Sequence, residues 1–328
     1  MDFVKNNQVS IAMCTYNGEQ FIKEQLDSIL HQTRIPNELI VCDDGSTDNT
    51  LKVLEEFQEI APFKVEVVSN RHQLGSTKNF EKAMLRCTGD IIFLCDQDDV
   101  WDENKIEVIE SQFINNPSAY MVFTDANMVD ENLNSLGYSL WESIKFSSGK
   151  QEEYREKSLD ILIKSNVVTG ATMAFKQSYL QSIVPISEFW IHDSWIAFLL
   201  SIEKDKKVIP LNEKLISYRQ HNNNQIGATK KNIISVVKQL KEFKASIVCH
   251  DQYLQFKSIQ HFLLKDGNRI DENTEAILNE KINHLKVRKE LSNNILFRVS
   301  KISKEFNSRG YSKFSNGVSS AIKDIFFY

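Results

Sequence analysis

Apolar and polar positions alternate along the first 130 residues in a way that predicts strands separated by helices. Between the strands, apolar residues recur at helical spacing, as at Ile22, Leu26 and Ile29. Strands joined by crossovers of helix length predict an α/β fold with a mostly parallel sheet flanked by helices. The four predicted strands are apolar runs with the length of buried strands, and they cover residues 8–17, 38–46, 63–70 and 90–95.

Polar residues follow each of the four predicted strands. In open parallel sheets the carboxyl ends of the strands share one edge, and ligands bind there. Taken alone, the DDGS segment at 43–46 is typical of a turn before a helix cap, but four such clusters together indicate a ligand site. The clusters are Thr15, Tyr16 and Asn17; Asp43 and Asp44; Asn70 and Arg71; and Asp96, Gln97, Asp98 and Asp99.

The densest of these clusters contains three carboxylates in four positions. Like charges this close raise one another's pKa unless a cation or hydrogen-bond donors compensate. Oxygen ligands suit Mg²⁺ or Mn²⁺ better than zinc, and a site with few protein ligands shares its metal with substrate phosphates. A diphosphate substrate is therefore expected, while a hydrolase with paired carboxylates as acid and base stays an alternative at this point.

Composition excludes several other classes of protein. None of the 11 glycines forms a GxG or GxxxxGK loop, which argues against dinucleotide-binding and P-loop enzymes, and no cysteine or histidine cluster has zinc spacing. The longest apolar runs are too short to span a membrane. The first residues lack the pattern of a secretory signal, so we expect a cytoplasmic protein.

Charge is distributed unevenly along the chain. From residue 230 onward there are 18 Lys and Arg against 10 Asp and Glu, whereas residues 1–229 carry a net charge of −13. This basic region has helical apolar spacing, as at Ile233, Val236 and Leu240. Two interpretations stay open: packing of these helices against the catalytic domain or a second subunit of a homodimer, which is favoured, and peripheral contact with the inner face of a membrane. A nucleic-acid partner is not expected.

Four segments, in their order and spacing, resemble the nucleotide-sugar-binding half of the inverting family 2 glycosyltransferases, which have the GT-A fold. The segments are VSIAMCTYNGEQFIKEQLDSILHQT, LIVCDDGSTDNT, the loop at 70–79 and GDIIFLCDQDDVW. The resemblance is close over residues 8–130 and looser to about 228. It implies a GT-A domain at 1–228, with a nucleotide-sugar half (1–130) and an acceptor half (131–228), followed by a basic helical region at 229–328.

This resemblance assigns roles to the residues at the strand ends. Asp96, Gln97 and Asp98 correspond to the metal-binding DxD motif, in which Asp98 is the direct ligand. Lys78 stands where the family often has an arginine before an asparagine, so it keeps a charge for the diphosphate but loses the bidentate fork. The resemblance implies that Thr15, Tyr16 and Asn17 line the nucleotide pocket and that one or both of Asp43 and Asp44 contact the base or ribose.

The second half of the chain is expected to hold the catalytic base. Asp193 in the segment FWIHDSW either caps a helix or corresponds to the acidic residue that the family places opposite the donor's anomeric carbon. HDSW resembles the HDWW form of the rhamnosyltransferase-like branch. A carboxylate there can take the proton of an acceptor hydroxyl as it attacks, and attack opposite the leaving diphosphate inverts the anomeric configuration.

A second polar segment, YRQH at 218–221, lies where related enzymes carry QxxRW. The resemblance implies that Arg219 clamps a phosphate and that His221 completes the metal shell, with an ordinary surface histidine as the alternative. The departure from QxxRW indicates single addition rather than processive synthesis.

Together these features predict a metal-dependent inverting glycosyltransferase using Mn²⁺ or Mg²⁺. The donor is dTDP-rhamnose or a UDP-hexose, and the acceptor is a hydroxyl of a surface polysaccharide or a lipid-linked oligosaccharide. Two alternatives remain, a non-catalytic sugar-nucleotide-binding module and a sugar-nucleotide nucleotidyltransferase. The second is disfavoured because the TYNGEQF segment has no basic residue before Lys23.

Overall fold

A computed structural model describes residues 7–203, 207–221, 245–265 and 270–328 of the chain. The chain divides into two units: residues 1–158 and 167–229 form the first, and residues 159–166 and 230–328 form the second. The segment 159–166 thus belongs to the second unit, and the predicted domain boundaries stay a prediction.

Within the described residues, the first unit contains a nine-stranded sheet in the order β3-β2-β1-β4-β8-β6-β9-β5, with β7 paired to β6. Its central strands β2 and β4 are fully buried and β1 is buried except at Cys14, as the apolar runs predict. The strands are β1 Val9–Thr15, β2 Glu38–Asp43, β3 Lys64–Ser69, β4 Ile91–Cys95, β5 Val100–Trp101, β6 Ala119–Val129, β7 Ser135–Ser139, β8 Met173–Lys176 and β9 Lys207–Arg219.

Helices connect and flank these strands. Helix α1 buries Ile22, Leu26 and Ile29, the face that its apolar spacing predicts. A short 3₁₀ turn at Gly170–Thr172 leads into β8. The helices are α1 Ile22–Leu30, α2 Thr50–Ile60, α3 Ser76–Met84, α4 Lys105–Asn115, α5 Leu140–Ser143, α6 Ser148–Leu162, α7 Leu180–Ile183 and α8 His192–Ser201.

Strand direction decides where the polar strand ends meet. Strands β1 to β4 are parallel to one another, as predicted, but the rest of the sheet is mixed because β8 runs antiparallel to both β4 and β6. Strand β6 therefore runs in the direction of β4, and β9 is parallel to β6. The carboxyl ends of β1, β2, β4, β6 and β9 consequently share one edge of the sheet, which is the edge where β8 begins.

The second unit is helical in its described part, which confirms the predicted helical C-terminal extension. Residues 233–240, predicted to be helical, lie outside the described residues. No helix among the described residues is both long and apolar enough to cross a bilayer. The helices are α9 Ala245–Lys265, α10 Glu272–Lys289, α11 Ile295–Asn307, α12 Gly310–Phe314 and α13 Val318–Phe326.

Buried charges stabilise this second unit beside a small apolar core. Arg288 forms two hydrogen bonds with Asp324, at 2.7 and 3.0 Å, and the hydroxyl of Tyr311 donates to the same carboxylate at 2.6 Å. The Nζ atom of Lys281 donates to the carbonyl of Phe314 at 2.7 Å, and burial lowers the pKa of Lys281 to about 7. Leu291, Ile302, Tyr311 and Ala321 form the apolar core.

Candidate functional site

The carboxylate of Asp43 organises the turn that follows β2. Its Oδ2 atom accepts hydrogen bonds from the hydroxyls of Thr15 (2.9 Å) and Ser46 (2.5 Å), and its Oδ1 atom accepts from the backbone N–H groups of Gly45 (3.1 Å) and Ser46 (2.9 Å). Gly45 has φ +85°, a conformation that favours glycine. The buried Asp43 therefore joins the ends of β1 and β2, and its contact with a nucleotide stays a prediction.

Asp44 connects the same turn to the loop before α3. Its Oδ1 atom accepts from the Nδ2 atom of Asn70 (2.8 Å) and from the N–H group of Leu74 (2.7 Å), and its Oδ2 atom accepts from the N–H group of Gly75 (2.9 Å). Asn70 also donates to Asn79 at 2.8 Å. Asp44 thus positions the loop that leads into α3, and its predicted contact with the base or ribose remains a prediction.

Asn17 shapes the loop that follows β1. It adopts a left-handed conformation with φ +47°, which asparagine tolerates better than most residues. Its N–H group donates to Ser46 Oγ at 2.9 Å, and its Oδ1 atom accepts from the N–H group of Thr47 at 2.8 Å. The loops after β1 and β2 consequently hold each other in place at the carboxyl edge of the sheet.

Gln97, the middle residue of the DQD segment, binds the loop after β1. Its Oε1 atom accepts from the N–H group of Tyr16 at 2.9 Å, and its Nε2 atom donates to the carbonyl of Tyr16 at 3.0 Å. A Cβ atom on Gly18 would lie 2.2 Å from the same Oε1 atom, so the Gln97 side chain can keep this position only beside a glycine. The ring of Tyr16 is nearly half exposed beside this contact.

Asp98 and His221 meet at this edge from distant parts of the chain. The Oδ2 atom of Asp98 lies 2.8 Å from the Nε2 atom of His221, and both side chains are mostly buried. The imidazole packs against Phe21, with ring centroids 4.8 Å apart. The structure therefore brings together two of the three residues that were predicted to hold a metal.

The other two carboxylates of the segment, those of Asp96 and Asp99, lie where negative charge is unfavourable. Burial, together with the charges of Asp98 and Asp193, raises the pKa of Asp96 to about 7. Burial and the neighbouring Asp98 and Asp96 likewise raise the pKa of Asp99 well above its usual range. The Oδ2 atom of Asp99 is buried and has no hydrogen-bond partner among the described residues. A cation at this position would relieve both the repulsion and the loss of solvation.

These residues fit a divalent cation that the protein holds with few ligands. Asp98 offers a carboxylate oxygen and His221 an imidazole nitrogen at the same point, and both are ligands that Mn²⁺ accepts. No group of three or more His, Cys, Asp and Glu side chains in the described part of the chain is placed to hold a metal unaided. Phosphate oxygens and water would therefore have to complete an octahedral shell.

Arg219 forms hydrogen bonds with the DQDD turn at 96–99 through both its side chain and its backbone. Its Nε atom donates to the carbonyl of Asp98 at 2.7 Å, and its backbone N–H donates to Asp99 Oδ1 at 3.0 Å. The other guanidinium nitrogens donate to the carbonyl of Glu131 and to the carboxylate of Glu24. The side chain is 1% exposed, and the hydrogen bonds of its guanidinium group described here are all with protein groups. Its predicted phosphate contact stays a prediction.

Lys78 and the residue before it attach α3 to the segment that precedes α8. The Nζ atom of Lys78 donates to Glu81 Oε2 at 2.8 Å and to the carbonyl of Ile186 at 2.5 Å. Thr77 Oγ1 donates to the carbonyl of Trp190 at 3.0 Å. Lys78 is therefore engaged in a protein contact, and its role toward the diphosphate remains a prediction.

Asp193 lies in the first turn of α8, at the edge where β8 begins. Its Oδ2 atom accepts from the N–H group of Gly170 at 3.1 Å, and its Oδ1 atom accepts from Ser194 Oγ at 2.9 Å and from the Ser194 N–H group. The side chain is partly exposed. Because its charge contributes to the raised pKa of Asp96, Asp193 lies within electrostatic reach of the DQD segment.

Sequence reasoning missed Tyr218 and Lys105 as members of this site. Burial raises the pKa of the Tyr218 phenol, and so do the charges of all four neighbouring carboxylates, from Asp96, Asp98, Asp99 and Asp193. Lys105 lies buried behind them; its Nζ atom donates to the carbonyl of Ala171 at 2.7 Å, and burial lowers its pKa to about 7. Tyr218 is the first residue of the YRQH segment, in which only Arg219 and His221 were assigned roles, whereas Lys105 has no local signal.

His192, which precedes the candidate base, is buried against α3. Its ring stacks on Phe80 with centroids 4.0 Å apart, and neither ring nitrogen has a hydrogen-bond partner among the described residues. Burial lowers its pKa, although the adjacent Asp193 raises it in part. A Cβ atom on Gly170 would lie 2.7 Å from Nε2 of this ring, so glycine is needed there. The ring therefore packs closely against the backbone that hydrogen-bonds Asp193.

Comparison with protein families and characterised relatives gives a consistent result. The family model described as Glycosyl transferase family 2 matches residues 10–182, more than half of the chain. The dTDP-rhamnosyl transferase RfbG of Shigella flexneri is 29% identical over 222 residues, covering 66% of this chain and 74% of that protein. The UDP-Glc:alpha-D-GlcNAc-diphosphoundecaprenol beta-1,3-glucosyltransferase WfgD of Escherichia coli is 29% identical over 207 residues, covering 62% and 73% respectively.

Solved structures share the fold at low sequence identity. S. aureus TarS 1–349 in complex with UDP-GlcNAc aligns with a TM-score of 0.59 and 14% identity, covering 98% of this chain and 89% of that one. The mannosyltransferase PcManGT from Pyrobaculum calidifontis, in complex with GDP-Man and Mn²⁺, aligns with a TM-score of 0.55 and 15% identity, covering 98% and 86%. These likenesses confirm the predicted GT-A type fold.

Proposed function

Since the chain belongs to glycosyl transferase family 2, we propose that it is a metal-dependent inverting glycosyltransferase. It transfers a sugar from a nucleoside diphosphate sugar to a hydroxyl group of a surface polysaccharide or a lipid-linked oligosaccharide. One observation carries the proposal: the charges of Asp98 and Asp193 both raise the pKa of Asp96, so carboxylates from β4's end and from α8 lie close together where the parallel strands end.

Asp98 and His221 are the proposed ligands of Mn²⁺ or Mg²⁺, with Asp96 adding charge close by. When bound there, the ion supplies positive charge for the diphosphate that leaves the sugar. The support is the 2.8 Å contact between Oδ2 of Asp98 and Nε2 of His221. Arg219 holds the carbonyl of Asp98 and therefore fixes the turn that presents these ligands.

Asp193 is the proposed catalytic base. Its Oδ2 atom, oriented by the N–H group of Gly170, would take the proton of the acceptor hydroxyl while the hydroxyl oxygen attacks the anomeric carbon. The bond from that carbon to the diphosphate breaks in the same displacement, so the anomeric configuration inverts. Ser194 donates to the other carboxylate oxygen and keeps the side chain in one orientation.

The donor is proposed to be dTDP-rhamnose or a UDP-hexose. RfbG and WfgD, which are similar to this chain over two thirds of its length or nearly so, are named for a dTDP-rhamnosyl and a UDP-glucosyl transfer. The proposed nucleotide wall consists of Thr15, Tyr16, Asn17, Asp43, Asp44 and Gln97. The exposed ring of Tyr16 offers a flat surface to the base, while Lys78 and Arg219 are proposed on the diphosphate side.

A direct test is to incubate the purified protein with Mn²⁺ and a panel of sugar nucleotides and to measure nucleoside diphosphate release. Release that EDTA abolishes supports the proposal, whereas equal release in EDTA contradicts the metal assignment. A sugar-nucleotide-binding module would bind a donor without any turnover. A nucleotidyltransferase would instead release pyrophosphate from a nucleoside triphosphate and a sugar phosphate.

A further inference from the structure

Two helices of the second unit leave large apolar side chains in solvent. Helices α11 and α13 pack against each other, and Ile302 of α11 and Ala321 of α13 contribute to the same buried core. Seven large apolar side chains of these two helices are between 44% and 78% exposed. These seven form what we name the apolar surface: Ile295, Leu296, Phe297 and Phe306 of α11, and Val318, Ile322 and Phe326 of α13.

The exposed apolar residues of α13 are regularly spaced along the helix. Val318, Ile322 and Phe326 recur every four residues, so they form one stripe along α13. Ala321 and Asp324 point from the opposite side of the helix into the core. Single exposed apolar residues are common on protein surfaces, but a stripe of exposed apolar residues along one helix marks an interaction site.

The charged residues of the stretch 295–328, which contains the apolar surface, are mostly basic. Lys301, Lys304 and Arg309 are exposed on α11 and directly after it. The stretch 295–328 contains two acidic residues, and both are engaged: Glu305 with His284 at 2.6 Å and Asp324 with Arg288 at 2.7 Å. The exposed apolar side chains therefore have basic neighbours whose charge is not offset within this stretch.

We propose that this surface docks on an anionic phospholipid bilayer. The phenylalanine and leucine side chains would enter the boundary between headgroups and acyl chains, while the lysines and arginine meet lipid phosphates. A second copy of the chain is a poorer occupant, because pairing two such surfaces brings like charges together. The inference does not depend on the proposed reaction, although docking would bring the enzyme to a lipid-linked acceptor.

Vesicle flotation with the full-length chain tests the proposal without any sugar transfer. The probes are vesicles of phosphatidylcholine and vesicles of an equimolar mixture with phosphatidylglycerol. We expect the protein to float with the anionic vesicles, to bind the neutral ones at least about tenfold more weakly, and to be released by salt. Absence of flotation with anionic vesicles, or equal binding to both kinds, would overturn the proposal.

Matched substitutions assign the binding to this surface. Phe326→Ser and Phe297→Ser should each weaken binding about tenfold, and Lys304→Glu at least about fivefold. Ile60→Ser and Lys52→Glu, at exposed positions of α2, should bind as the unmodified protein does. All five positions are exposed, so unchanged circular dichroism melting curves are expected and verify that each variant folds.

Two further outcomes would overturn the assignment. One is that the α2 variants lose binding as strongly as Phe326→Ser. The other is that light scattering in the absence of lipid shows a dimer that Phe326→Ser converts to a monomer. In that case the apolar surface is covered by another copy of the chain and not by lipid.

Discussion

The imidazole of His221 contacts the carboxylate of Asp98 at 2.8 Å, although 123 positions separate them along the chain. Strand β9 makes this contact possible because it runs parallel to β6 and ends at the same edge as β4. His221 follows the end of β9 by two residues, as Asp98 follows the end of β4 by three. The contact is the structural basis of the proposed metal site.

We expect His221→Ala to raise the Mn²⁺ concentration needed for half-maximal nucleotide release by about tenfold or more, because one of two protein ligands is lost. Asp98→Asn should abolish release at any accessible metal concentration. A Mn²⁺ titration of nucleoside diphosphate release measures both effects. His250→Ala, at an exposed position of α9, is the matched control. If His221→Ala titrates like this control, His221 does not bind the metal.

Asp193→Asn should lower the turnover number by a factor of about 10² to 10⁴, which is the usual contribution of a positioned general base. Donor affinity, measured by calorimetry with Mn²⁺ present, should change little because the amide keeps the size of the side chain. Asp251→Asn, an exposed carboxylate of α9, serves as the control. Normal turnover in Asp193→Asn would show that another group takes the proton.

Gly18→Ala should disturb the proposed donor pocket through Gln97. The added Cβ atom would lie 2.2 Å from Gln97 Oε1, so the amide must leave its paired hydrogen bonds with Tyr16. We expect a stability loss of about 1–3 kcal/mol and weaker donor binding. Gly149→Ala is the control, since a Cβ atom there meets nothing within 4 Å. Thermal melting and donor titration measure the two effects.

A double variant sharpens this test. In Gly18→Ala combined with Gln97→Ala the steric conflict is removed, so stability should partly recover although the hydrogen bonds to Tyr16 are absent. A double variant that is less stable than Gly18→Ala alone would show that the contact at Gln97 does not cause the damage.

Arg219→Lys separates two roles of this residue. If the guanidinium braces the DQDD turn, lysine loses the contacts to Glu131 and Glu24, the melting temperature falls, and the Mn²⁺ requirement rises. A phosphate clamp alone predicts a higher KM for the donor with unchanged melting. Arg86→Lys, a partly exposed arginine paired with Glu66, is the control. We expect the first pattern.

Stability should increase between pH 7 and pH 10 in a way that depends on Lys281. Burial lowers the pKa of this ammonium to about 7 in the folded protein, whereas the unfolded chain keeps the ordinary value near 10.4. Across this interval the unfolded state binds more protons, so the free energy of unfolding rises with pH, and it levels off below pH 7.

Urea unfolding at several pH values, for the unmodified chain and for Lys281→Met, measures this contribution. The rise with pH should be smaller in Lys281→Met than in the unmodified chain. Lys257→Met, at an exposed position of α9, should keep the full rise. Parallel curves for the unmodified chain and Lys281→Met would show that the pKa of Lys281 is not lowered by burial.

The sequence was sufficient to predict the features that depend on local periodicity. The strands β1 to β4, the helices between them and the polar residues at their carboxyl ends follow from apolar spacing alone. The reversal at β8 was not predicted, since its four residues, three of them apolar, are compatible with either direction and only pairing with β4 and β6 decides it.

The contacts of individual side chains in the site required the structure. Nothing near Arg219 in the sequence indicates that Glu24 and Glu131 bind it, because both partners are far away along the chain. Lys105 likewise reads as an ordinary residue at the start of an amphipathic helix, although it is buried behind the carboxylates. Such partners are set by tertiary packing, which periodicity does not encode.

The network around Asp43 has a practical implication for altering the enzyme's choice of sugar nucleotide. Both oxygens of the Asp43 carboxylate accept hydrogen bonds from Thr15 or Ser46. Substituting Asp43 would therefore remove the contacts that hold the end of β1 to the turn after β2. Mutant libraries intended to change donor preference should therefore keep Asp43 constant. Tyr16, whose ring is open to solvent while its backbone is anchored by Gln97, is a better position to randomise.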